Sequence, residues 1–437
     1  MKLCMKLLAC CALCWFIGAS QGAAQIVGSA KTSVTADPGE ATLNDLLAAA
    51  QAAMDRKDYQ AAAQNYQAYL AKKPDDATAH LQLGYADMSL HNLGDAKTEY
   101  EKAISLDPKL GPAYLNLGVI LVDTDPGAAV VPLQKAVELI PTQSGPKFLL
   151  GLALERTGKL SIAIEQYQAA KNIDDKDFNI RFSLGRALLS AGRAREAEPE
   201  FRAALALRPD FAAADLGLAR SLIGEGNLDA GAAEMAAYLE KQPNDADARV
   251  VRASALAQLS KDDDALAELD RAAAAGPENL RALKLRSQIY LSKKRFDDAI
   301  PALQKAAALA PREADIPALL GHAYLEKKDY PDAVRELIAA FKMDPNANDV
   351  LGDLVAAQYS NGNYPAALDG LDLLSKRESL PPVSWFVRAS CYDKLGQSAN
   401  ALEAYRQFLQ LNKDPASDMY FEATARVRTL ARELKKR

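Results

Sequence analysis

Proline returns on a fixed beat along this chain. Pro74 and Pro108 lie 34 residues apart, Pro141 follows after 33, and Pro209, Pro243, Pro277, Pro311 and Pro345 are each separated by 34. From Pro141 to Pro209 is 68, two units with the middle proline absent. Other residues keep the same interval. Gly84, Gly118, Gly151, Gly185 and Gly321 share one slot, while Ala96, Ala129, Ala163, Ala197, Ala265, Ala299, Ala333, Ala367 and Ala401 share another. Tyr66, Tyr100, Tyr167, Phe201 and Tyr405 hold a third, and Ala103, Ala136, Ala170, Ala204, Ala272, Ala306 and Ala340 a fourth. A period of this length confines a chain to stacked repeats, because one short unit cannot bury its apolar face alone. The chain is 49% hydrophobic with only 7% aromatic residues, and its wealth of alanine favours helices over strands.

Numbered within one unit, the slots are Gly or Ala at 8, Tyr at 11, Ala at 20, an aromatic at 24, Ala at 27 and Pro at 32. In this pattern the sequence resembles the tetratricopeptide repeat family. The resemblance implies an all-α, right-handed solenoid of helix-turn-helix units. About 11 units begin at Leu43, Ala77, Gly111, Ser144, Phe178, Ala212, Ala246, Leu280, Ala314, Asn348 and Pro382, spanning 43–415. The slots also have a physical reading. Small residues at 8, 20 and 27 let two helices approach as ridges settle into grooves, and the side chain at 24 fills the space. Pro126, Pro331 and Pro365 stand in the first turn of the second helix, where a missing N–H is harmless. The proline at 32 blocks continuation. Residues 416–437 carry an apolar stripe of Tyr420, Ala423, Val427, Leu430 and Leu434, which predicts a capping helix.

Three units depart from the pattern. The third is one residue short around 123–127 (DTDPG), the fourth has Asp175 in place of proline, and the tenth carries Val355 and Leu374 in small-residue slots. The proline of the tenth is displaced to Pro381 and Pro382. Hinges are expected near 123–127 and 379–383.

The N-terminus reads as an export signal. Lys2 and Lys6 precede the apolar run LLACCALCWFIG at 7–18, and small residues follow through Ala24. Residues 1–24 are therefore expected to be a cleavable signal peptide, followed by a polar lead-in over 25–42. Twelve apolar residues are too few to span a bilayer, so no transmembrane span is expected in the mature chain. The stretch at 7–10 (LLAC) resembles a lipobox. Lys6 precedes it and the apolar run continues beyond Cys10, so lipidation at Cys10, giving a lipid-anchored outer-membrane assembly lipoprotein, is the alternative reading. Of five cysteines only Cys391 lies outside this segment, which excludes an intramolecular disulfide in the mature chain. No asparagine begins an N-x-[ST] sequon, which favours a bacterial periplasm or envelope over a eukaryotic secretory route.

No residue pattern carries chemistry. The three histidines, His80, His91 and His322, have no metal-ligand spacing. The stretch GLALERTGKL at 151–160 has the wrong glycine spacing for a phosphate loop and ends in leucine where Ser or Thr is needed. A net charge of −5 gives no support to nucleic-acid binding. Neither a cofactor nor a catalytic site is expected.

What remains is a surface. Positions 2, 5, 9 and 12 of each first helix share a stripe distinct from the packing slots. The resemblance implies that this stripe lines a concave groove. Its candidates are Leu81, Tyr85, Met88, Leu115, Val119, Val122, Phe148, Leu152 and Phe182, passing into Arg186 and Arg220. Such a groove suits an apolar or amphipathic peptide with a carboxylate at the arginine end. Later units offer Lys284, Gln288, Asp315, His322, Asp349 and Tyr359, a more polar set. The expected function is a non-catalytic protein–protein interaction scaffold in envelope assembly or export. A regulatory arm of an envelope enzyme complex is the other alternative.

Overall fold

The computed structural model describes residues 42–412 and 414–436. The expected signal peptide, almost all of the lead-in and Cys10 lie outside the described residues. Among these residues are 23 helices and no strands. They form eleven antiparallel pairs and one final helix. The pairs are α1 (Leu43–Asp55) with α2 (Tyr59–Lys72), α3 (Ala77–Ser89) with α4 (Leu93–Leu106), and α5 (Gly111–Thr124) with α6 (Pro126–Leu139). Next come α7 (Ser144–Arg156) with α8 (Leu160–Lys171), α9 (Phe178–Ser190) with α10 (Ala194–Leu207), and α11 (Ala212–Gly224) with α12 (Leu228–Lys241). Then follow α13 (Ala246–Gln258) with α14 (Asp262–Ala275), α15 (Leu280–Ser292) with α16 (Phe296–Leu309), and α17 (Asp315–Glu326) with α18 (Tyr330–Met343). The last pairs are α19 (Asn348–Ser360) with α20 (Tyr364–Ser375) and α21 (Pro382–Lys394) with α22 (Ser398–Leu411), and α23 (Asp418–Lys436) closes the chain. The fold is an all-α solenoid of repeats. It divides into two compact bodies after Asn227, between the helices of the sixth repeat.

Each packing slot has a visible role. Ala96, Ala129, Ala163, Ala299 and Ala401 are all fully buried at position 20. At position 8, a Cβ on Gly84 would come within 2.8 Å of the Tyr100 ring, and one on Gly151 within 2.6 Å of Tyr167. The glycine is therefore the space that the position-24 ring occupies. The tenth repeat inverts this arrangement. Val355 is buried at position 8, and the small residue has moved across to Gly370, where a Cβ would meet Val355 at 2.6 Å.

The turn between the paired helices repeats one backbone conformation. Position 15 has positive φ in ten repeats: at Lys57, His91, Ser260, Lys294 and Lys328, and at Gly158, Gly192, Gly226, Gly362 and Gly396. Its N–H and the next reach back to helix carbonyls, as in Gly158 to Glu155 at 3.0 Å and Lys159 to Leu154 at 2.8 Å, the left-handed device that ends many helices. The third repeat lacks the residue. There Asp125 ends α5 and caps α6 at once, its Oδ1 accepting the Ala128 N–H at 3.0 Å. The deletion is absorbed in the turn, so α6 still buries Ala129, Leu133 and Ala136.

Some joints between repeats carry a polar tie. Arg181 at position 4 of the fifth repeat donates to Glu200 (2.7 Å) and to the carbonyl of Asp175 (2.9 Å), the last turn of the repeat before. Arg249 does the same with Glu268 (2.9 Å) and the carbonyl of Pro243 (2.7 Å). His80 sets its ring nitrogens against Glu99 (2.5 Å) and the Pro74 carbonyl (3.1 Å). Glu268 is 1% exposed and is also bonded by Arg252 and Arg271, so a buried carboxylate is fully partnered.

The final helix lies on the last repeat. Ala423 and Leu430 are buried among Phe386, Leu402, Tyr405 and Phe408, with Val427 and Leu434 partly covered. Arg426 grips Asp393 with two bonds of 2.7 and 2.6 Å. Cys391 is fully buried, and burial pushes its thiol up to about 11, which keeps it a packing residue.

Candidate functional site

In the first body, the stripe read from the sequence places half-buried apolar side chains on consecutive first helices. Tyr85 and Met88 stand on α3, Leu115 and Val119 on α5, Phe148 and Leu152 on α7, and Phe182 on α9. Their neighbours hold them in place. Tyr85 meets Tyr59 edge-on at 6.2 Å, Phe148 leans on Tyr167 at 5.9 Å, and the Tyr100 hydroxyl points at the Met88 sulfur. Phe182 belongs to an aromatic cluster with Phe178 (5.8 Å), Phe211 (5.1 Å) and Phe201 (6.0 Å). Arg208 lies over the Phe178 ring at 4.2 Å. Stacked, tilted and edge-to-face contacts of this kind fix ring orientation.

Two of the expected residues belong elsewhere. Leu81 is 5% exposed and Val122 is fully buried, so neither presents surface to a ligand. Val122 is drawn inward where Arg156 bonds its carbonyl and, at 2.6 Å, the Asp123 carboxylate. The expected two-arginine patch also changes. Arg186 is tied to Glu155 at 3.0 Å, and the same carboxylate accepts from the Tyr167 hydroxyl at 2.7 Å. Arg220 is exposed on α11 and has no ion pair among the described residues. Glu155 occupies position 12 of its repeat, a slot of the stripe itself, so its part in the arginine patch was open to sequence reading. Phe178 and Phe211 lie outside the stripe positions, and no spacing rule would have found them.

In the second body the matching face is different in kind. A cavity of about 670 Å³ runs along α15, α17 and α19. Its floor includes Ala318, Leu319, Leu337, Ala340 and Val350, and its polar lining is Gln288, Asp315, His322, Asp344, Asp349 and Asp353. Lys284 lies beside it, shared between Glu313 and Asp315 at 2.7 Å each, and two carboxylates hold its ammonium above its ordinary range. His322 meets Asp353 at 3.0 Å. Farther along, the Tyr359 hydroxyl bonds Ser390 at 2.9 Å. Among the described residues no group of three His, Cys, Asp or Glu side chains is placed to hold a metal, and no helix is long and apolar enough to cross a membrane.

Three models of the tetratricopeptide repeat match the sequence. One covers 47–110, 250–314 and 319–381, a second 188–259 and 290–346, and a third 382–415. Together they take in 47–110 and the whole of 188–415.

The chain belongs to the tetratricopeptide repeat family.

Among curated proteins no match is found. Among solved structures, stretches of this tetratricopeptide repeat chain are similar to YrrB, described as a TPR protein with an unusual peptide-binding site. The identity is 23%, with 42% of this chain and 96% of that one covered at a TM-score of 0.40. MamA from Desulfovibrio magneticus RS-1 is 21% identical over 39% of this chain and 96% of its own, with a TM-score of 0.37. Yeast Tom70 is 13% identical over 90% and 96%, with a TM-score of 0.35. Tetratricopeptide repeat domains bind proteins, and the coarse function of this chain is that of a protein-interaction scaffold.

Proposed function

We propose that the first body binds an extended or amphipathic apolar segment of a protein partner across α3, α5, α7 and α9, with a carboxylate of that segment received by Arg220. One observation carries this reading. Seven half-buried apolar side chains, from Tyr85 to Phe182, stand on four consecutive first helices and lead toward an exposed arginine that no acid among the described residues answers. An apolar row of that kind gains from covering by a partner at about 25 cal/mol per Å² of apolar surface removed from water. The setting we propose is a bacterial envelope, in assembly or export. Support for it is the N-terminal pattern, Lys2, Lys6 and the apolar run at 7–18, together with the lack of an N-x-[ST] sequon.

The test is direct. The full mature chain is titrated with a fluorescein-labelled apolar peptide ending in a free carboxylate, and again after Tyr85→Asp and after Arg220→Glu. Each substitution should weaken binding roughly tenfold (about 1.4 kcal/mol) while leaving the helical melt in place. Unchanged affinity in both variants would sink the reading. Mass spectrometry of the exported protein's N-terminus settles the lipid-anchored alternative: a free Gln25 opposes it and a diacylated Cys10 supports it.

A further inference from the structure

We propose that the second body carries a separate docking groove, the cavity along α15, α17 and α19, and that its occupant is a basic, extended segment of a protein partner. The inference rests on the scaffold reading above but on different residues.

Shape and charge together select this occupant. The floor is apolar, made of small and branched side chains such as Ala318, Leu337 and Val350, while four aspartates line it: Asp315, Asp344, Asp349 and Asp353. Lysine and arginine are built for such a place, since their methylene stems cover apolar surface while the charged head reaches a carboxylate. The cavity's own charges leave room for a cation. Asp315 is answered by Lys284, which also serves Glu313, and Asp353 is met by His322. Among the described residues the Asp344 carboxylate accepts just the Asn346 backbone N–H, at 3.0 Å. Asp349 is exposed, and its carboxylate makes no hydrogen bond or ion pair among the described residues. Among the described residues no lysine or arginine lines the cavity.

Length distinguishes a peptide from a small amine. Gln288, His322 and Asp349 stand on three successive first helices, so the groove extends past the reach of a single side chain. A volume of about 670 Å³ is within the range of roughly 300–1,000 Å³ usual for a ligand site. An anionic segment would face carboxylates along α17 and α19, and like charges disfavour it.

The probe is a fluorescein-labelled peptide of alternating lysine and alanine, with alternating glutamate and alanine as its counterpart, titrated against the full mature chain. The lysine peptide should bind and the glutamate peptide should not, and added NaCl should weaken the complex. Asp349→Asn combined with Asp353→Asn should lower affinity roughly tenfold or more, with Asp349→Lys alone as a second variant at an exposed site. Amide shifts on binding should cluster on α17 and α19. Equal binding of both peptides, or wild-type affinity in the variants, overturns the inference. So does an equal loss from Asp297→Asn with Asp298→Asn, acids that lie outside this cavity. A chain that binds the apolar probe but not the lysine probe loses only this second groove; one that binds neither loses the scaffold reading as well.

Discussion

The two bodies solve the same packing problem with different side chains. In the first, position 24 is Tyr66, Tyr100, Tyr167 and Phe201, with Leu133 the exception. In the second it is Met235, Leu269, Leu303, Leu337 and Leu371, and an aromatic returns only at Tyr405. Opposite a ring, position 8 is glycine at Gly84, Gly151 and Gly185 and alanine at Ala50 and Ala389. Opposite an aliphatic side chain it ranges from glycine at Gly118 and Gly321 through Ala219 and Ala253 to Ser287 and Val355. A ring at position 24 thus caps its partner at the size of alanine, while an aliphatic residue admits a larger one. The helix faces follow no such constraint, and they have diverged from an apolar row to an acidic groove.

The largest effect that should separate the bodies is alkaline. Burial, with Asp55 and Asp76 nearby, pushes the Tyr66 phenol up to about 12, and burial pushes Tyr100 and Tyr167 in the same direction. A folded value above the unfolded one means that the unfolded chain loses its proton first as pH rises. The stabilisation is therefore full below about pH 10 and is lost as pH climbs toward 12. For Tyr66 alone two units correspond to about 3 kcal/mol. Hydrogen exchange at pH 10.5 should show the first body opening before α13 to α20, where no tyrosine fills position 24. Uniform loss along the chain would break the comparison.

Next in size is the buried carboxylate. Glu268→Ala would strand Arg249, Arg252 and Arg271 and should cost about 3–5 kcal/mol. Glu200→Ala in the first body leaves two cations, Lys171 and Arg181, and should cost less. Thermal unfolding by circular dichroism gives the ranking. A smaller contrast tests the trade between positions 8 and 24. Gly151→Ala drives a Cβ into the edge of a buried ring and should destabilise by about 1–3 kcal/mol. Gly321→Ala meets the Cγ of the fully buried Leu337 at 2.4 Å and its backbone N at 3.1 Å, so an aliphatic neighbour should exact a similar penalty. A much smaller cost at Gly321 would mean that ring rigidity, not closeness of contact, sets the penalty. Smallest of all, Lys294→Gly or His91→Gly should stabilise by about 0.5–1 kcal/mol, because positive φ strains any residue with a Cβ. A lowered melting temperature would assign those side chains a structural role.

The sequence period placed the first helix of ten repeats at its starting residue; the ninth begins at Asp315, because Ala314 sits in a helical conformation just outside it. Small residues at 8, 20 and 27 could be read because each has one neighbour and one permissible size. The recognition face was only partly legible. A 3-4-3 stripe fixes the direction of a side chain on its own helix but not how closely the next helix covers it, so Leu81 and Val122 could not be told from Tyr85 and Val119. The fate of Arg186 depended on a carboxylate 31 residues away, and to the stripe residues Gln288, Asp315, His322 and Asp349 the acidic cavity adds Asp344 and Asp353, which lie off the stripe. Periodicity encodes what every repeat has in common. A binding face is built from what they do not.

The polar ties at position 4 have a mechanical consequence. They span the joints between repeats one and two, three and four, four and five, and six and seven, each linking a side chain to a backbone carbonyl of the preceding unit. A hydrogen bond weakens steeply once its partners separate beyond about 3.5 Å, so such a joint is brittle under load, whereas apolar faces slide before they part. Pulled from its ends, the chain should come away in whole blocks of repeats, with force steps at the tied joints and smooth yielding between them.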